Sequence, residues 1–505
     1  MDLLRKEALA SPAIPACRPW PRMLVEQTTW RATINQLASA EYDLISLWSD
    51  GAQVHLAVFR PTDASVRILS LDCAGGGYPS VGRVHPAALR LERAIFDLYG
   101  VVAEGSPDTR RWLDHGRWGL RHPGGAREAT TAASDPYTFL PVEGEGLHQI
   151  PVGPVHAGII EPGHFRFTAN GEVVVRLEER LGFVHKGVGQ LMAGAPIESA
   201  AKLAGRVSGD STVAYAIAFA QAVEAALEIS APPRALYLRA LMAELERLAN
   251  HFGDIGAICN DASFALMQAQ CAVVREKILR ASKACFGHRL MMDCVLPGGV
   301  AHDLSLDKAA SLGELLDWIR LMTPRLIALF GDTTSLQDRT VGAGALNMAL
   351  ARQFGCGGVI GRASGREFDA RKAIGYAPYP DLSFVIGGSR DGDVDARVWV
   401  RFDEVRASVE LVTQILERMP HGPINVEYQA QTGAVQEGAA LVEGFRGDIF
   451  VFLRIGEDGT IENCHLRDPS WFQWPVLEAA IKGNIVADFP LCNKSFNCSY
   501  SGHDL

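Results

Sequence analysis

The stretch PPRALYLRALMAELERLANHFGDIGAICN, Pro232–Asn260, decides the fold. Leu238, Leu241, Met242, Leu245, Leu248, Phe252 and Ile255 recur every three or four positions, which aligns them on one face of a long α-helix. A second row, Glu244, Arg247, His251 and Asp254, runs along the opposite face. Charged side chains ordinarily stay wet, so this row is assigned to a solvated face with ion pairs along the helix. Inside a bundle the same row would form a buried polar network.

Working outward, further helices are expected at about 262–293, 305–330, 341–354 and 402–419. Between them FGCGGVIGRASGREFDARKAIGY, Phe354–Tyr376, is too rich in glycine for a helix. It reads as a loop whose backbone approaches a neighbour closely. Upstream, HFRFTANGEVVVRL, His164–Leu177, reads as a β-hairpin with a type I′ turn at Asn170-Gly171. Further upstream, DLISLWSDGAQVHLAVFR, Asp43–Arg60, alternates about a Ser-Asp-Gly turn and predicts a second hairpin. HPAALRLERAIFDLYGV, His85–Val101, follows as an amphipathic helix with Leu89, Ala94, Ile95 and Leu98 toward a core.

The segment GGAREATTAASDP, Gly124–Pro136, has linker chemistry. The expected organisation is an N-terminal extension (1–29), an α+β domain (30–125), a linker (126–148) and a mainly α-helical domain with a small β-sheet (149–505). The 505 residues leave room for two or three domains with a large core. A net charge of −10 without a lysine- and arginine-rich run argues against nucleic-acid binding. No run of 18 apolar residues predicts a membrane span, and the start lacks the apolar core of a secretory signal. Ten cysteines form no CxxC pair; they read as small core fillers, and the expected compartment is reducing and cytosolic.

Seven blocks combine glycine with charge: GPVHAGIIEPGHFRF, GFVHKGVGQLM, GRVSGDS, GRASG, VEGFRGDIF, LRDPSWFQWPVL and SFNCSYSGHDL. In order and spacing they resemble the large subunit of nickel–iron hydrogenases and the related quinone-site subunit of respiratory complex I. The likeness is nearest to the membrane-bound group, formate hydrogenlyase and the energy-converting hydrogenases. The block LERAIFDLYGVVAEGSPDTRRWLDHGRWGLRHP, Leu91–Pro123, resembles the small hydrophilic subunit of complex I. Together the two segments resemble the fused large subunit of formate hydrogenlyase or hydrogenase-4, which implies a hydrogenase-large-subunit-like fold for 149–505.

In that family nickel is held by four cysteines in two CxxC pairs, because soft thiolate suits a redox-active nickel–iron centre. Here Ser208, Ser211, Ser499 and Gly502 stand in those places, and Cys498 lies one residue away from one of them. The resemblance therefore implies no nickel–iron centre and no metal ligand in this chain. In the complex I relative the same cavity takes a quinone, held by a tyrosine and a histidine. Gly209 stands in the tyrosine's place; His156 is the histidine candidate, and Tyr215 a less direct phenol.

Other roles implied by the resemblance fall on Glu161, a proton-passing carboxylate that burial would raise in pKa, with His164 beside it. Arg446 would supply fixed positive charge over the cavity, unless it pairs with Asp448. Asp210 would take a proton or satisfy donors left by a missing metal. Arg362, Asp369 and Arg371 would line or brace the cavity, and Tyr500, His503 and Asp504 would return to it.

The implied function is an oxidoreductase subunit active within a complex on the cytoplasmic side of a membrane, bound peripherally. An iron–sulfur small subunit would supply electrons, integral membrane subunits would move ions, and a quinone is the candidate acceptor. Two alternatives are a catalytically silent architectural subunit and an active nickel–iron hydrogenase, the second opposed by all four cysteine positions.

Overall fold

In the computed structural model, residues 13–14, 17–73, 75–130, 136–429 and 433–505 are described. The first twelve residues of the expected extension and residues 131–135 of the expected linker lie outside them. The alternating N-terminal stretches form strands. β1 (Ala13–Ile14) is followed by β2 (Cys17–Arg18), β3 (Arg22–Leu24), β4 (Asp43–Ser49), β5 (Gln53–Arg60) and β6 (Ser65–Asp72). A five-stranded sheet runs β1-β3-β6-β5-β4, with β4 and β5 antiparallel about the expected Ser-Asp-Gly turn. Two helices, α1 (Gln27–Ala38) and α2 (Leu89–Tyr99), join this layer. Its core, with Trp30, Leu56, Leu69 and Ile95, is continuous with Phe165, Phe167 and Trp474 from the second half.

β2 departs from that sheet. It pairs in parallel with a strand near the other end of the chain, at Glu437 and Gly438. Beside it Arg22 grips the buried Glu437 carboxylate through two hydrogen bonds of 2.6 Å. A bidentate guanidinium–carboxylate contact fixes orientation as well as distance.

The second half opens with the antiparallel sheet β7 (Leu147–Val152), β8 (His164–Asn170) and β9 (Val173–Arg180). The expected hairpin forms, but its turn is displaced by one residue. Asn170 pairs with Val173, so the two-residue loop is Gly171-Glu172, and of these only Gly171 has positive φ, +58°. That is a turn opened by glycine rather than a type I′ turn.

Among the helices that follow, the long ones are α3 (Thr212–Leu227), α4 (Pro233–Asp261), α5 (Ala265–Phe286), α6 (Leu306–Gly331) and α7 (Val394–Arg418). The expected helix at 341–354 shortens to Met348–Gln353. Phe354–Tyr376 is not purely loop, since Gly358–Ala363 and Ala370–Ala373 are helical. Burial of Val359 and Ile360 supports the first, and the Asp369 carboxylate caps the second by accepting from Arg371 N at 2.9 Å. The chain closes with β10 (Gln436–Gly444), β11 (Gly447–Ile455) and β12 (Ile461–Arg467), ordered β12-β11-β10-β2. The last helices are α8 (Ser470–Ala480), α9 (Phe489–Phe496) and α10 (Tyr500–His503). The whole is a mixed α/β molecule with an N-terminal sheet region and a largely helical C-terminal part. Among the described residues no helix is long and apolar enough to cross a membrane.

All ten cysteines are buried as unpaired thiols, as their apolar flanks suggest. The polar row of α4 corrects the sequence expectation: Glu244, Arg247 and His251 are at most 1% exposed. These three are buried because α7, the Asp369–Arg371 turn and the β10–β11 hairpin close over them, while Asp254 at the end of the row stays half-buried. Glu244 accepts from Arg371, Tyr379 and Ser408 at 3.0, 2.7 and 2.6 Å. Glu404 accepts from Arg362 at 2.9 Å and lies 2.7 Å from His251 Nε2. Burial opposes the Glu404 charge, but Arg362 and His251 hold its carboxyl well below the usual range. Removing one member of such a set leaves an uncompensated buried charge, which is the costly event.

One buried acid on α4 behaves differently. Glu246 accepts from the Val213 and Ala214 amides, at 2.7 and 3.2 Å, at the start of α3. Burial pushes its carboxyl up to about 8 despite those two donors. A raised carboxyl pKa stabilises the fold fully below its ordinary value and loses that contribution as pH rises through 8. Wild type should therefore lose stability relative to Glu246→Gln between about pH 4.5 and 8, by at most ~1.4 kcal/mol per pH unit. Denaturant titrations of both proteins across that range check it.

Candidate functional site

Three chain segments meet where the sequence placed its vacated ligand positions. The first is the turn Ser208–Ser211 leading into α3. The second is the β10–β11 turn carrying Arg446. The third is Ser499–Gly502 at the start of α10. Glycines permit the approach of the second segment. A Cβ on Gly357 would lie 2.2 Å from Asp448 Oδ1, and one on Gly358, at φ +62°, would lie 2.1 Å from Arg446 O. The glycine-rich stretch thus approaches a neighbour as expected, and that neighbour is the arginine turn.

Hydrogen bonds tie the three segments together. Arg446 donates from Nη1 and Nη2 to the two Asp210 oxygens at 2.8 and 2.6 Å, from Nη1 to Ser211 Oγ at 3.0 Å, and from Nε to Asn497 O at 2.6 Å. Ser208 donates to Asp210 Oδ1 at 2.8 Å, and its hydroxyl lies 3.0 Å from Ser499 Oγ. Ser499 Oγ accepts from Gly502 N at 2.9 Å. The four family positions therefore converge.

Arg446 does not pair with Asp448, whose carboxylate takes Arg467 at 2.5 Å. Asp210 keeps its charge: burial works against it, but the Arg446 guanidinium prevails and holds the carboxyl below its ordinary value. The Asp210 carboxylate accepts from both Arg446 and Ser208.

The residues present do not fit a four-thiolate metal site. Hydroxyls replace three sulfurs. At the fourth place a Cβ on Gly502 would lie 2.4 Å from Asp468 Oδ2, so the Asp468 carboxylate occupies the space a side chain would need. Asp468 is itself engaged by Tyr215 Oη at 2.5 Å and Ser470 N at 2.8 Å. Cys498 offers no substitute, because its Sγ lies 4.0 Å from Gln473 Oε1 and burial holds the thiol well above its ordinary pKa. Among the described residues, no three histidine, cysteine or carboxylate side chains cluster as metal ligands.

The remaining predicted residues divide. Tyr500 joins the site's edge, with its hydroxyl 3.1 Å from His156 Nε2. Glu161 reaches the same edge by accepting from Ser501 N at 3.1 Å, but it sits on an exposed turn rather than in a buried one. His164 turns away, bonding Gly153 O at 3.2 Å and lining a separate cavity. Arg362 is fully buried behind the site, on Glu404 and Glu443, and does not line it. Asp369 and Arg371 belong to that same network. His503 and Asp504 return to the core as pins: His503 stacks on Trp471 at 4.2 Å, and Asp504 accepts from Val184 N at 3.1 Å.

Sequence reasoning did not single out Asp468, Ser501 or Asn497. Asp468 stood inside a quoted block, in an Asp-Pro pair at a helix start, which was its available signal.

The chain matches two families. Residues 261–437 match the respiratory-chain NADH dehydrogenase 49 Kd subunit, and residues 25–128 match the 30 Kd subunit. Formate hydrogenlyase subunit 5 of Escherichia coli is 31% identical over 441 residues, covering 85% of this chain and 77% of that protein. Hydrogenase-4 component G of the same organism is 30% identical over 446 residues, covering 86% and 77%. The C/D fusion protein of NADH-quinone oxidoreductase from Bacteroides thetaiotaomicron is 28% identical over 434 residues, covering 81% and 82%.

Loss of the Asp210 carboxylate leaves the buried Arg446 guanidinium with hydroxyl and carbonyl partners alone. Asp210→Asn should cost roughly 1–3 kcal/mol, below the roughly 3–5 kcal/mol for breaking a fully buried pair, because the Asp210 side chain is 36% exposed. Chemical denaturation measures it, and an unchanged midpoint would refute the assignment.

Proposed function

The chain belongs to the family of fused large subunits that includes formate hydrogenlyase subunit 5 and hydrogenase-4 component G, and from that membership we propose that it is the large subunit of a membrane-associated redox complex working without nickel. Electrons enter from an iron–sulfur cluster in a partner small subunit, and integral membrane partners couple the reaction to ion movement. The chain lies peripherally on the cytoplasmic side, its helical part arranged as in hydrogenase large subunits.

The observation that supports loss of nickel is the filled fourth ligand place, where Asp468 stands against Gly502. A serine hydroxyl is a poor ligand for nickel, and a carboxylate already bonded to Tyr215 and Ser470 is not offered as one. Val155 and Ile159, 82% and 99% exposed on the loop before Glu161, support burial of that loop by the small subunit.

A quinone is the acceptor this reading assigns. Its reduction to the quinol takes two electrons, which the partner cluster supplies, and two protons at the carbonyl oxygens. In this reading the Tyr500 phenol, 3.1 Å from His156 Nε2, passes one proton to a carbonyl and is reprotonated from water, and water supplies the second proton.

A second reading rests on a specific observation. Ser208, Asp210, Ser211, Arg446 and Ser499 satisfy one another's hydrogen bonds, so the site needs no ligand to be stable. On that ground the chain would be an architectural subunit transmitting conformational change.

Two measurements on the purified complex separate the readings. Nickel should be far below one atom per complex; stoichiometric nickel would revive a hydrogenase. Reduction of a soluble quinone analogue should fall about tenfold or more in Tyr500→Phe, while reduction of an artificial dye by the partner cluster stays unchanged. No quinone turnover in wild type, with intact dye reduction, would favour the architectural reading.

A further inference from the structure

A cavity of about 620 Å³ lies apart from the serine-lined site, and it holds the displaced His164. Five arginines line it, Arg110, Arg111, Arg117, Arg121 and Arg180, against one carboxylate, Asp114. Two of the five are neutralised. Arg110 pairs with Asp108 and Glu178 at 2.7 and 2.6 Å, and Arg111 pairs with Asp114. Among the described residues no carboxylate pairs with Arg117, Arg121 or Arg180.

Arg180 is the telling member. It is 5% exposed, and its guanidinium donates to Trp112 O and lies over the Tyr137 ring at 4.4 Å. Neither contact supplies a counter-charge. Burial pulls its pKa down to about 10, although the Asp97 and Asp504 carboxylates act in the opposite direction without forming an ion pair with it. Buried charges are ordinarily paired, so a cavity with Arg180 on its floor has a place for an anion. Arg121 is half-buried and Arg117 exposed, which sets further positive charge toward the mouth. Guanidinium groups match phosphate oxygens in geometry as well as charge. The volume exceeds that of a lone phosphate and falls in the range of small-ligand pockets, roughly 300–1,000 Å³. Phe139 and Phe183 give the wall an apolar part suited to a ring.

We propose that this cavity binds a small phosphate-bearing polyanion, up to a nucleoside diphosphate in size, between buried Arg180 and the outer Arg117 and Arg121.

Calorimetric titration of inorganic pyrophosphate into the assembled complex tests it, with Arg180→Gln as the direct variant. The double variant Arg117→Gln/Arg121→Gln removes two outward cations and keeps the test open if the buried substitution unfolds the chain. Saturable binding near one site per chain is expected, weakened at least tenfold in the double variant. Adenosine diphosphate binding more tightly than pyrophosphate would identify a nucleotide as the source of the phosphate; equal or weaker binding would identify the bare phosphoanhydride. No saturable binding, or binding unchanged in the double variant, overturns the proposal. Binding to the free chain but not to the complex also overturns it, because a partner's segment would then own the cavity.

Discussion

The turn between β10 and β11 is gripped from both sides, and the position of the site follows from that grip. From behind, Arg247 of α4 donates to the Gly444 and Glu443 carbonyls at 3.1 and 3.0 Å. From the front, Asp210 holds Arg446, two residues further along. Packing against Gly357 and Gly358 leaves the turn no lateral freedom. Each guanidinium is buried, so neither can relax toward water without losing its partners. The long helix thereby fixes the place of a charge that it never touches directly.

Such a grip changes what the positions matched to metal ligands by resemblance require. A four-thiolate metal site gains its cohesion from bonds to one ion, and removing the sulfur would leave polar backbone and neighbouring charge unsatisfied. Here the replacement is collective. Serine hydroxyls can both donate and accept, which lets Ser208 and Ser499 bridge two segments. Asp210 supplies the negative charge that balances Arg446. Tyr215 and Ser470 orient Asp468 into the space beside Gly502.

Much of the fold was legible because its signals are local. Apolar periodicity located α4 and the helices after it, and alternation about Ser49-Asp50-Gly51 located the β4–β5 hairpin. The turn at Gly171 was displaced because strand register depends on pairing partners, which outweigh a dipeptide preference. The α4 polar row was assigned to water because helix periodicity says which residues share a face but not what covers it. Its cover comes from Arg371, Tyr379 and Ser408, far away in sequence. The site was half legible. Ser208, Ser211, Ser499 and Gly502 were identified by resemblance, and the structure brings them together. Arg362 and His164 fell outside because a matching block fixes a residue's neighbourhood, not the direction of its side chain. Asp468 was passed over because its meaning depends on the absent Cβ of Gly502, thirty-four positions on.

Strand β2 carries a kinetic consequence. Its pairing positions on β10 lie 420 residues further along the chain, from Cys17 to Glu437, and the Glu437 that Arg22 grips lies 415 residues beyond that arginine. Loop closure over so long a span is entropically unfavourable until β10 itself is formed. The two-residue segment β2 must therefore stay unpaired until then, and its docking is a late, ring-closing event in maturation. Until that moment the edge of β10 that β2 will cover is a place where a second chain's β2 could dock instead.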